Sequence, residues 1–287
     1  MINILILNWN SSSDVEKLLS SLMDSSVKNF RVILIDNNSS DIDEFLCLYE
    51  CFSVFFDIHL VKNESNLGYT GGNNKGYIYL VENGLSGDLL IINPDVILEP
   101  HTISSMKAEM SNNVGGVMIR TLNSAGDHMY DYITLHGLFQ KGQRTSKISF
   151  PTDYLAGSCM LLSRSAIDRL GLFDERYFLY WEEVDLSLRL IENGYHLHTT
   201  TNSIIKRTEN SVSRSANAYY YFIRNSFLIS KKFSVRIKRY ELISFLIISF
   251  VSSFVNSIKY RDIKFTTSAI LGFLDGMRGV NGQRSIK

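Results

Sequence analysis

The amino-acid sequence predicts an α/β protein with a mostly parallel central sheet flanked by helices. Short, nearly continuous apolar runs alternate with stretches whose apolar residues recur at helical spacing. Continuous apolar runs are typical of strands that helices cover on both faces, which is the arrangement found in parallel sheets. Polar residues follow several of these runs, and ligands bind at that carboxyl edge in open α/β sheets.

The first part of the chain alternates strands and helices in a regular order. Each predicted strand is an apolar run, and each predicted helix follows a loop rich in Asn, Ser or Gly. The predicted strands lie at 2–7, 31–36, 57–63 and 88–95, and the predicted helices lie near 13–22, 43–52 and 73–82.

Composition narrows the classes of protein that this chain can belong to. Its 287 residues, 45% apolar and 12% aromatic, can bury a large core and exclude a disordered protein. The 29 basic and 29 acidic side chains give no net charge, which argues against a uniformly basic protein that coats nucleic acid. The three cysteines form no CxxC pair, so neither a disulfide framework nor a zinc site is indicated, and a reducing, cytosolic location fits.

The loops after the strands exclude two common nucleotide-binding folds. The first strand is followed by Asn8, Trp9 and Asn10 without a GxGxxG sequence, and no GxxxxGK[ST] sequence occurs. The chain is therefore neither a Rossmann dehydrogenase nor a P-loop enzyme by these signatures. The apolar run at 2–7 lacks a basic flank and a cleavage site, so we expect a strand there and not a signal peptide.

Five motifs in order resemble those of the family 2 inverting glycosyltransferases of the GT-A fold. The similarity is greatest to the rhamnosyltransferase-like branch, which builds bacterial surface polysaccharides. The motifs are ILNWN at 6–10, VILIDNNSSD at 32–41, NLGYTGGNNKGY at 66–77, LLIINPDVIL at 89–98 and the segment 154–190, and YYYFIRN at 219–225 is a further match.

This resemblance implies that the first motifs bind a nucleotide-diphosphate sugar. The Asp36 carboxylate is expected on the nucleoside, although Asp and Asn are also ordinary turn and cap residues. Glycines such as Gly68 permit close approach of the backbone to a ligand, although a turn explains them equally. The residues assigned to the nucleotide sugar are Asn8, Asn10, Asp36, Asn38, Asn66, Gly68, Asn73, Asn93, Asp95 and Lys206.

The resemblance also implies a divalent cation on the diphosphate. Relatives carry Asp-x-Asp, whereas this chain has Asn93, Pro94 and Asp95, so one carboxylate remains. Because Mg²⁺ often takes only one or two protein carboxylates, Asp95 is the expected ligand of Mg²⁺ or Mn²⁺. A turn built on Asn-Pro-Asp is the alternative.

A histidine that relatives place about 20 residues beyond the catalytic acids has no counterpart in this chain. Lys206 stands near that position and can neutralise the diphosphate directly. His196 and His198 alternate with their neighbours as on one face of a strand, so we expect them to be structural.

The acidic motif of the family is E/D-D-x-D, and its second acid is the usual base. That position is Glu183 here, with Asp185 as a supporting acid and Glu182 as the fallback. The base deprotonates the acceptor hydroxyl as that hydroxyl attacks the anomeric carbon from the face opposite the leaving group. Acids in the first turn of a helix also stabilise its dipole, which is the structural alternative.

Three further residues are expected to bind the acceptor. Gly157 and Ser158 correspond to the small-residue segment of the family, where bulk would block the pocket. A buried strand with an incidental glycine is the alternative. Trp181 offers an apolar face for a sugar ring, although a core tryptophan is an alternative.

The last part of the chain differs in charge from the rest. Residues 230–287 contain 11 Lys and Arg against three acidic residues, so residues 1–229 carry the balancing negative charge. We therefore predict a catalytic domain at 1–229 and a basic helical tail at 230–287.

The tail contains 17 uncharged residues at 242–258, the lower limit for a membrane span. Ser249, Ser252, Ser253 and Asn256 fall on one helical face. This pattern, with basic flanks, predicts an interfacial helix on an anionic membrane surface. Packing on the catalytic domain or on a subunit partner is the alternative.

Together these features predict an inverting glycosyltransferase that transfers a sugar from a dTDP-rhamnose-like or UDP-sugar donor to a hydroxyl of a lipid-linked glycan. The expected location is cytoplasmic, at the inner face of the cell membrane, with no nucleic-acid partner, and a homo-oligomer remains open. One alternative is a catalytically inactive nucleotide-binding scaffold in a glycan-assembly complex. A sugar nucleotidyltransferase is weaker, because its glycine-rich phosphate loop should follow the first strand.

Overall fold

A computed structural model describes residues 1–208 and 216–284 of the chain. The segment that follows the catalytic acids is therefore described as far as Thr208, and its continuation at 209–215 lies outside the described residues. The strands in chain order are β1 Ile2–Asn8, β2 Phe30–Asp36, β3 Asp57–Lys62, β4 Asp88–Ile92, β5 Val96–Leu98, β6 Val114–Leu122, β7 His128–Tyr130, β8 Tyr132–His136, β9 Phe139–Gln143, β10 Ser149–Pro151, β11 Cys159–Leu162 and β12 His196–Arg207. The helices are α1 Ser12–Met23, α2 Ile42–Phe52, α3 Gly68–Glu82, α4 Thr102–Ala108, α5 Arg164–Leu170, α6 Glu182–Glu192, α7 Ala216–Lys232, α8 Arg239–Tyr260 and α9 Lys264–Arg278.

The central sheet has the strand order β10-β12-β6-β11-β4-β1-β2-β3. The four strands predicted from apolar runs form its parallel half, in which β1 lies between β2 and β4. Strand β11 enters antiparallel between β4 and β6, and β12 runs parallel to β6. The chain reverses its direction of winding at β1, and such a reversal opens a crevice at the carboxyl ends of the strands. The predicted α/β class is confirmed.

Both faces of the parallel strands are buried, which is why their sequences are continuously apolar. Alternate residues point to opposite faces of a strand. Ile4, Val32 and Leu34 pack with α1, α2 and α4 on one face. Leu5 and Ile33 pack with α3, α5 and α6 on the other. Each strand thus contributes to two apolar layers, and together these layers fix its position in the sheet.

Helix α3 begins five residues earlier than the sequence predicts, because its glycines pack against the sheet. A Cβ on Gly72 would lie 2.5 Å from Leu7 Cδ1, and a Cβ on Gly76 would lie 2.4 Å from Ile35 Cδ1. The absence of a side chain at these positions lets the helix lie directly on β1 and β2. Two glycines that suggested a loop therefore belong to a close helix–sheet contact.

The C-terminal helices form a continuous layer beside the sheet. Helix α7 passes through the predicted boundary at residue 230 without a break, and Tyr219, Ile223 and Leu246 join it to α8 and α9 in a shared apolar cluster. A Cβ on Gly272 would lie 2.5 Å from the Tyr220 carbonyl oxygen, so α9 crosses α7 at backbone contact. The tail thus packs on the end of the predicted catalytic domain.

Candidate active site

A buried carboxylate with one unpaired oxygen lies at the end of β2. Asp36 Oδ2 accepts hydrogen bonds from the backbone N–H of Asn38 at 3.1 Å and of Ser39 at 3.3 Å. Its Oδ1 is buried without a hydrogen-bond partner among the described residues. A buried carboxylate oxygen without a donor is unfavourable. Asp36 is therefore ready to accept a hydrogen bond from a ligand.

Two asparagines after β1 hold the neighbouring loops together with their side chains. Asn8 Nδ2 donates to Ser39 Oγ at 3.2 Å and to Asp41 Oδ1 at 3.3 Å. Asn10 has a φ of 55°, and its Oδ1 accepts from the Ser40 N–H at 2.7 Å. Both asparagine side chains are thus engaged within the protein, which leaves the backbone of this loop to line a ligand.

A residue that the sequence analysis passed over connects the second and third motifs. Asn37 is buried, and its Nδ2 donates to Asn66 Oδ1 at 2.9 Å and to the Gly68 carbonyl at 3.1 Å. Its Oδ1 accepts from Asn63 Nδ2 and from the Leu67 N–H. Asn37 lies among turn-forming residues of similar type, so the sequence offered no signal that separates it from them. Asn66 is consequently a loop-positioning residue.

Asn38 and Asn73 occupy different environments. Asn38 is exposed, with a φ of 62°. Asn73 lies inside α3, where its Nδ2 donates to the Tyr69 carbonyl at 2.9 Å and its buried Oδ1 has no hydrogen-bond partner among the described residues. The structure therefore leaves the Asn38 side chain accessible and encloses that of Asn73.

The start of α3 is bound to the loop that precedes α6. Gly68 has a φ of 71°, and a Cβ there would lie 2.3 Å from the Phe178 carbonyl oxygen. That carbonyl accepts hydrogen bonds from the N–H groups of Tyr69 at 2.8 Å and Thr70 at 3.4 Å. Only glycine combines this conformation with so close a backbone contact. The nucleotide loop and the acidic helix are thus held in one arrangement.

The loop before α6 contains three residues in the left-handed conformation. Phe178, Tyr180 and Trp181 have φ values of 63°, 68° and 76°, a conformation that costs residues other than glycine about 1–2 kcal/mol each. Asn225 of α7 compensates, because its Nδ2 lies 2.9–3.0 Å from three carbonyl oxygens of this loop. These acceptors belong to Tyr177, Leu179 and Tyr180.

Trp181 belongs to the core and not to an acceptor pocket. Its side chain is 1% exposed, and its Nε1 donates to the Phe222 carbonyl at 2.9 Å. Its ring stacks on Phe222 at 4.9 Å and meets Phe245 edge-on at 5.6 Å. The expectation that Trp181 presents a face to a sugar is therefore wrong, because α7 and α8 cover the ring.

Asp185 is enclosed by cationic and hydroxyl partners. Arg189 Nε donates to its Oδ2 at 2.7 Å, and Tyr177 donates to its Oδ1 at 3.1 Å. Lys232 of α7 also pairs with this carboxylate. Asp185 therefore fastens α6 to α7, and the expectation that it directly supports catalysis is corrected because its oxygens are engaged inside the protein.

Glu182 and Glu183 form a coupled pair of carboxyl groups. Burial raises the pKa of both, and the negative charge of Glu183 raises the pKa of Glu182 further, to well above its usual range. The hydrogen bond between the two side chains favours the proton on Glu182 and opposes the rise at Glu183. Each side chain also has a buried Oε2 without a hydrogen-bond partner in the described part of the chain. Both carboxyl groups therefore favour the protonated form more than an exposed glutamate does.

The small-residue loop lies next to Glu183. A Cβ on Gly157 would lie 3.9 Å from Glu183 Cδ and 3.8 Å from the Tyr69 hydroxyl, which donates to the Gly157 carbonyl at 2.8 Å. The Ser158 carbonyl accepts the N–H of Asn93 at 3.0 Å. The loop therefore brings the end of β4, the start of α3 and the acidic pair together.

Tyr69 and Ser158 complete this corner of the site. Burial, followed by the charges of Glu182 and Glu183, raises the pKa of Tyr69 well above its usual range, so the phenol stays neutral. Ser158 is buried, with its Oγ 3.3 Å from the Tyr130 hydroxyl. Tyr69 lies inside a recognised motif, but no feature of the sequence distinguished it from its neighbours.

Asp95 is paired with Arg207, the residue that follows Lys206 on β12. Arg207 Nε donates to Asp95 Oδ2 at 2.7 Å, and Nη2 donates to the same oxygen. The pairing of Val96 with Arg207 between β5 and β12 sets this contact. Lys206 is exposed, because successive side chains alternate across a strand. Of the two neighbouring cations on β12, Arg207 therefore contacts Asp95, whereas Lys206, expected near the diphosphate, makes no such contact.

The described residues around Asp95 can bind a divalent cation only through one carboxylate oxygen of Asp95. The described ranges contain no group of three or more His, Cys, Asp and Glu side chains that could hold a metal. Asp95 can offer Oδ1 while Arg207 holds Oδ2, which suits a cation whose other ligands are phosphate oxygens and water. His196 and His198 lie toward the opposite end of β12 from Arg207, in keeping with a structural role.

Comparison with known proteins places this chain in a family. The family described as "Glycosyl transferase family 2" matches residues 3–171, more than half of the chain. The low-salt glycan biosynthesis hexosyltransferase Agl10 of Haloferax volcanii is 27% identical, over 98% of this chain and 92% of its own. An N-acetylglucosaminyl-diphospho-decaprenol L-rhamnosyltransferase of Mycobacterium tuberculosis is 26% identical, over 67% and 71%.

A solved structure shows the same fold. The crystal structure of GalNAc-T7 with UDP, GalNAc and Mn²⁺ matches with a TM-score of 0.64 at 15% identity, over 78% of this chain. This chain spans 47% of that one. The fold is therefore of the GT-A type, as the motifs implied, with additional C-terminal helices.

Replacing Glu182 with Gln should stabilise the protein in a pH-dependent way. The raised pKa of Glu182 makes the folded wild type hold a proton that the unfolded chain releases above the ordinary pKa of 4.5. Wild-type stability therefore falls as pH rises above that value, by about 1.4 kcal/mol per unit of pKa elevation. Thermal melts should show a stabilised variant at pH 7 and above but little difference at pH 4. A constant difference across this range would contradict the raised pKa.

Replacing Asn225 with Asp should destabilise the loop before α6. The isosteric carboxylate keeps the acceptor for Arg224 but loses the donor to three carbonyls, and we expect a loss on the order of 2–4 kcal/mol in urea unfolding. The matched control is Asn83→Asp, since Asn83 is exposed and donates to one helix carbonyl. Equal effects of the two substitutions would remove the special role of Asn225.

Proposed function

The chain is a glycosyltransferase of family 2, and we propose that it transfers one sugar, with inversion, from a nucleotide-diphosphate sugar to a hydroxyl of a lipid-linked glycan. The observation that carries this proposal is the position of Glu183 beside Gly157. This carboxylate of raised pKa lies next to a glycine, whose lack of a side chain leaves space for a substrate. Asp36 at the end of β2 and Asp95 in the turn between β4 and β5 lie on the same chain segments that the motifs assign to the donor.

Glu183 is the proposed general base. Its carboxylate takes the proton of the acceptor hydroxyl while the hydroxyl oxygen forms a bond to the anomeric carbon. The bond between that carbon and the diphosphate oxygen breaks on the opposite face, and its electron pair leaves with the nucleotide. Removing such a base typically costs about 10² to 10⁴ in rate. Glu182 holds its proton and keeps the pair from carrying two negative charges.

Asp36 is the proposed nucleoside contact. Its unpaired Oδ1 accepts a hydrogen bond from the ribose or the base, while Oδ2 stays bound to the loop. Asn37 and Asn66 hold the glycine-rich loop beside it, and the exposed Asn38 adds a polar side chain. Because these hydrogen bonds already order the loop, donor binding costs little conformational entropy there.

Arg207 and Asp95 are the proposed diphosphate contacts. The guanidinium matches phosphate geometry and provides positive charge where the leaving group gains negative charge. Asp95 is the proposed ligand of Mg²⁺ or Mn²⁺, and such an ion supplies additional positive charge to the diphosphate when bound. Lys206 is exposed and remains a weaker candidate for the same ligand.

The relatives support a choice of donor and acceptor class. One is named a hexosyltransferase of glycan biosynthesis, and another is named a rhamnosyltransferase of a diphospho-decaprenol carrier. We therefore propose a dTDP-rhamnose-like or UDP-sugar donor, an acceptor on a lipid carrier, and action at the cytoplasmic face of the membrane. An inactive nucleotide-binding scaffold is the second candidate, favoured by the Arg207–Asp95 pair in place of two acidic metal ligands.

Replacing Glu183 with Gln should abolish transfer while keeping donor binding. A thermal-shift screen of nucleotide sugars, with and without Mn²⁺, first identifies the donor by the stability that it confers. Transfer by the variant should then fall by about 10² to 10⁴. The control is Glu16→Gln, because Glu16 is an exposed residue of α1. A wild type that binds donor without transfer or hydrolysis would favour the scaffold, and equal activity of the variant would remove the base assignment.

Replacing Arg207 with Gln should make the enzyme more dependent on metal. The wild type should retain measurable turnover in excess EDTA, because Arg207 supplies positive charge to the diphosphate. The variant should lose about 10²-fold of that residual turnover. The matched control is Lys107→Gln, because Lys107 is an exposed basic residue of α4. Complete loss of wild-type turnover in EDTA would contradict this role of Arg207.

A further inference from the structure

Helix α8 exposes an apolar face and turns its polar residues inward. Ser249 and Ser253 are buried, and Ser252 Oγ and Asn256 Nδ2 lie 2.7 Å and 2.8 Å from the Tyr219 hydroxyl. The polar stripe that the sequence predicted therefore faces α7. The outward face carries apolar side chains that are each more than half exposed. They include Ile243, Ile247, Val251, Phe254, Val255 and Ile258.

This outward face is unusual for a protein surrounded by water. The side chains follow one another at three- and four-residue intervals along 22 residues of helix. A continuous exposed apolar patch marks an interaction site, whereas single exposed apolar residues are ordinary. The inward polar groups are satisfied by hydrogen bonds within the protein, so the orientation of α8 is determined by its own packing.

A cationic cavity lies at the beginning of the same helix. It has a volume of about 1010 Å³ and lies between α7, the segment that leads into α8, and the end of α9. Its lining, as far as the described residues form it, contains no acidic side chain. Four of its basic residues form no ion pair with another described residue. They are Lys231, Lys238, Arg239 and Arg278.

The other basic residues of the cavity are already neutralised or hydrogen-bonded. Lys232 pairs with Asp174 and Asp185, and Arg176 pairs with Asp174. Arg224 donates to backbone carbonyls of the loop before α6. The four unpaired cations therefore create a positive potential in a space large enough for an anionic group, and such a field attracts anions.

We propose that the outward face of α8 lies in the interface of an anionic phospholipid bilayer, and that the cavity receives phospholipid phosphate groups. The apolar face matches the acyl boundary, and the cations at the helix start match the charge of the headgroups. Lys259, Arg261 and Lys264 provide positive charge at the other end of the helix. The start of α8 thus lines the cationic cavity, and the apolar face follows along the same helix, a combination that complements the phosphates and acyl chains of a bilayer.

The packing of α8 favours a helix on the membrane surface over one that crosses it. By length and composition α8 could cross a bilayer. However, Phe245, Leu246 and Ser253 are buried on its inner side, against the rest of the C-terminal layer. A crossing helix would have to leave these contacts and expose its serines to lipid, where unsatisfied polar groups are unfavourable. A surface helix keeps both faces satisfied.

This inference rests on the proposed function, because an enzyme needs to dock on the membrane only if its acceptor is lipid-linked. The cavity also adjoins the loop before α6, because Asn225 lines the cavity and donates hydrogen bonds to carbonyl oxygens of that loop. Docking through α8 therefore places the membrane beside the helix that positions the acidic pair.

Vesicle flotation of the full chain tests the proposal. The probes are vesicles of phosphatidylcholine with and without phosphatidylglycerol, and wild type should float with the anionic vesicles. Ile247→Glu with Val251→Glu should reduce the bound fraction at least about tenfold, because charge opposes insertion of the apolar face. Lys231→Glu with Arg278→Glu should remove the preference for anionic lipid. Val54→Glu and Lys28→Glu change exposed residues elsewhere and should bind as wild type.

Several outcomes would overturn the proposal. Wild type that stays in the soluble fraction with anionic vesicles would do so, as would equal flotation of the wild type and either double variant. A dimer in light scattering that the Ile247→Glu and Val251→Glu changes dissolve, without vesicle binding, would assign the face to a second copy. Inhibition of flotation by inorganic phosphate alone, with no effect of the chloride salt at equal ionic strength, would assign the cavity to free phosphate.

Two controls separate this proposal from the proposed function. Circular dichroism melts establish that each variant is folded. Because the substituted residues are exposed, the melting temperature of each variant should stay near that of the wild type. Transfer to a water-soluble acceptor should persist in both double variants. Loss of flotation with retained transfer supports the docking surface, whereas flotation by a protein that transfers no sugar would contradict the proposed activity only.

Discussion

The hydrogen bonds between Asn225 and the loop before α6 are the constraint on which the acidic site depends. One amide group donates to three carbonyls of a segment with three left-handed residues. Such a segment persists only where its surroundings determine it. Without this anchor on α7, three carbonyls of the loop would lose their donor, and the start of α6 with Glu182 and Glu183 would be held less firmly.

The other contacts of the site extend from the same loop. Its Phe178 carbonyl meets the backbone at Gly68, whose carbonyl in turn accepts a hydrogen bond from Asn37 beside Asp36. A continuous chain of short contacts therefore links the acidic helix to the nucleoside end of the crevice. These contacts are made by backbone groups and buried amides. They therefore fix the relative positions of the two ends of the crevice without adding charge to the site.

Charge at the site is arranged by burial and pairing. Carboxylates that hold elements of the fold together have cationic partners, and Asp185, which pairs with Arg189 and Lys232, is an example. Glu182 and Glu183 have no cationic partner among the described residues, and burial raises the pKa of both. The contrast separates acids that hold the fold from an acid suited to accept a proton, although all three lie within one turn of the same helix.

The sequence by itself determined the parallel strands, the motifs at their ends and the family. Apolar runs and motif order are local properties, and local properties can be read along the chain. Whether Trp181 faces a sugar or the core, and whether Lys206 or Arg207 meets Asp95, was decided only by the tertiary structure. Those outcomes depend on which distant element covers a side chain and on the register of β12 with β5, and neither is a property of the local sequence. The orientation of Ser252 and Asn256 of α8 has the same origin, since the Tyr219 hydroxyl to which they hydrogen-bond belongs to another helix.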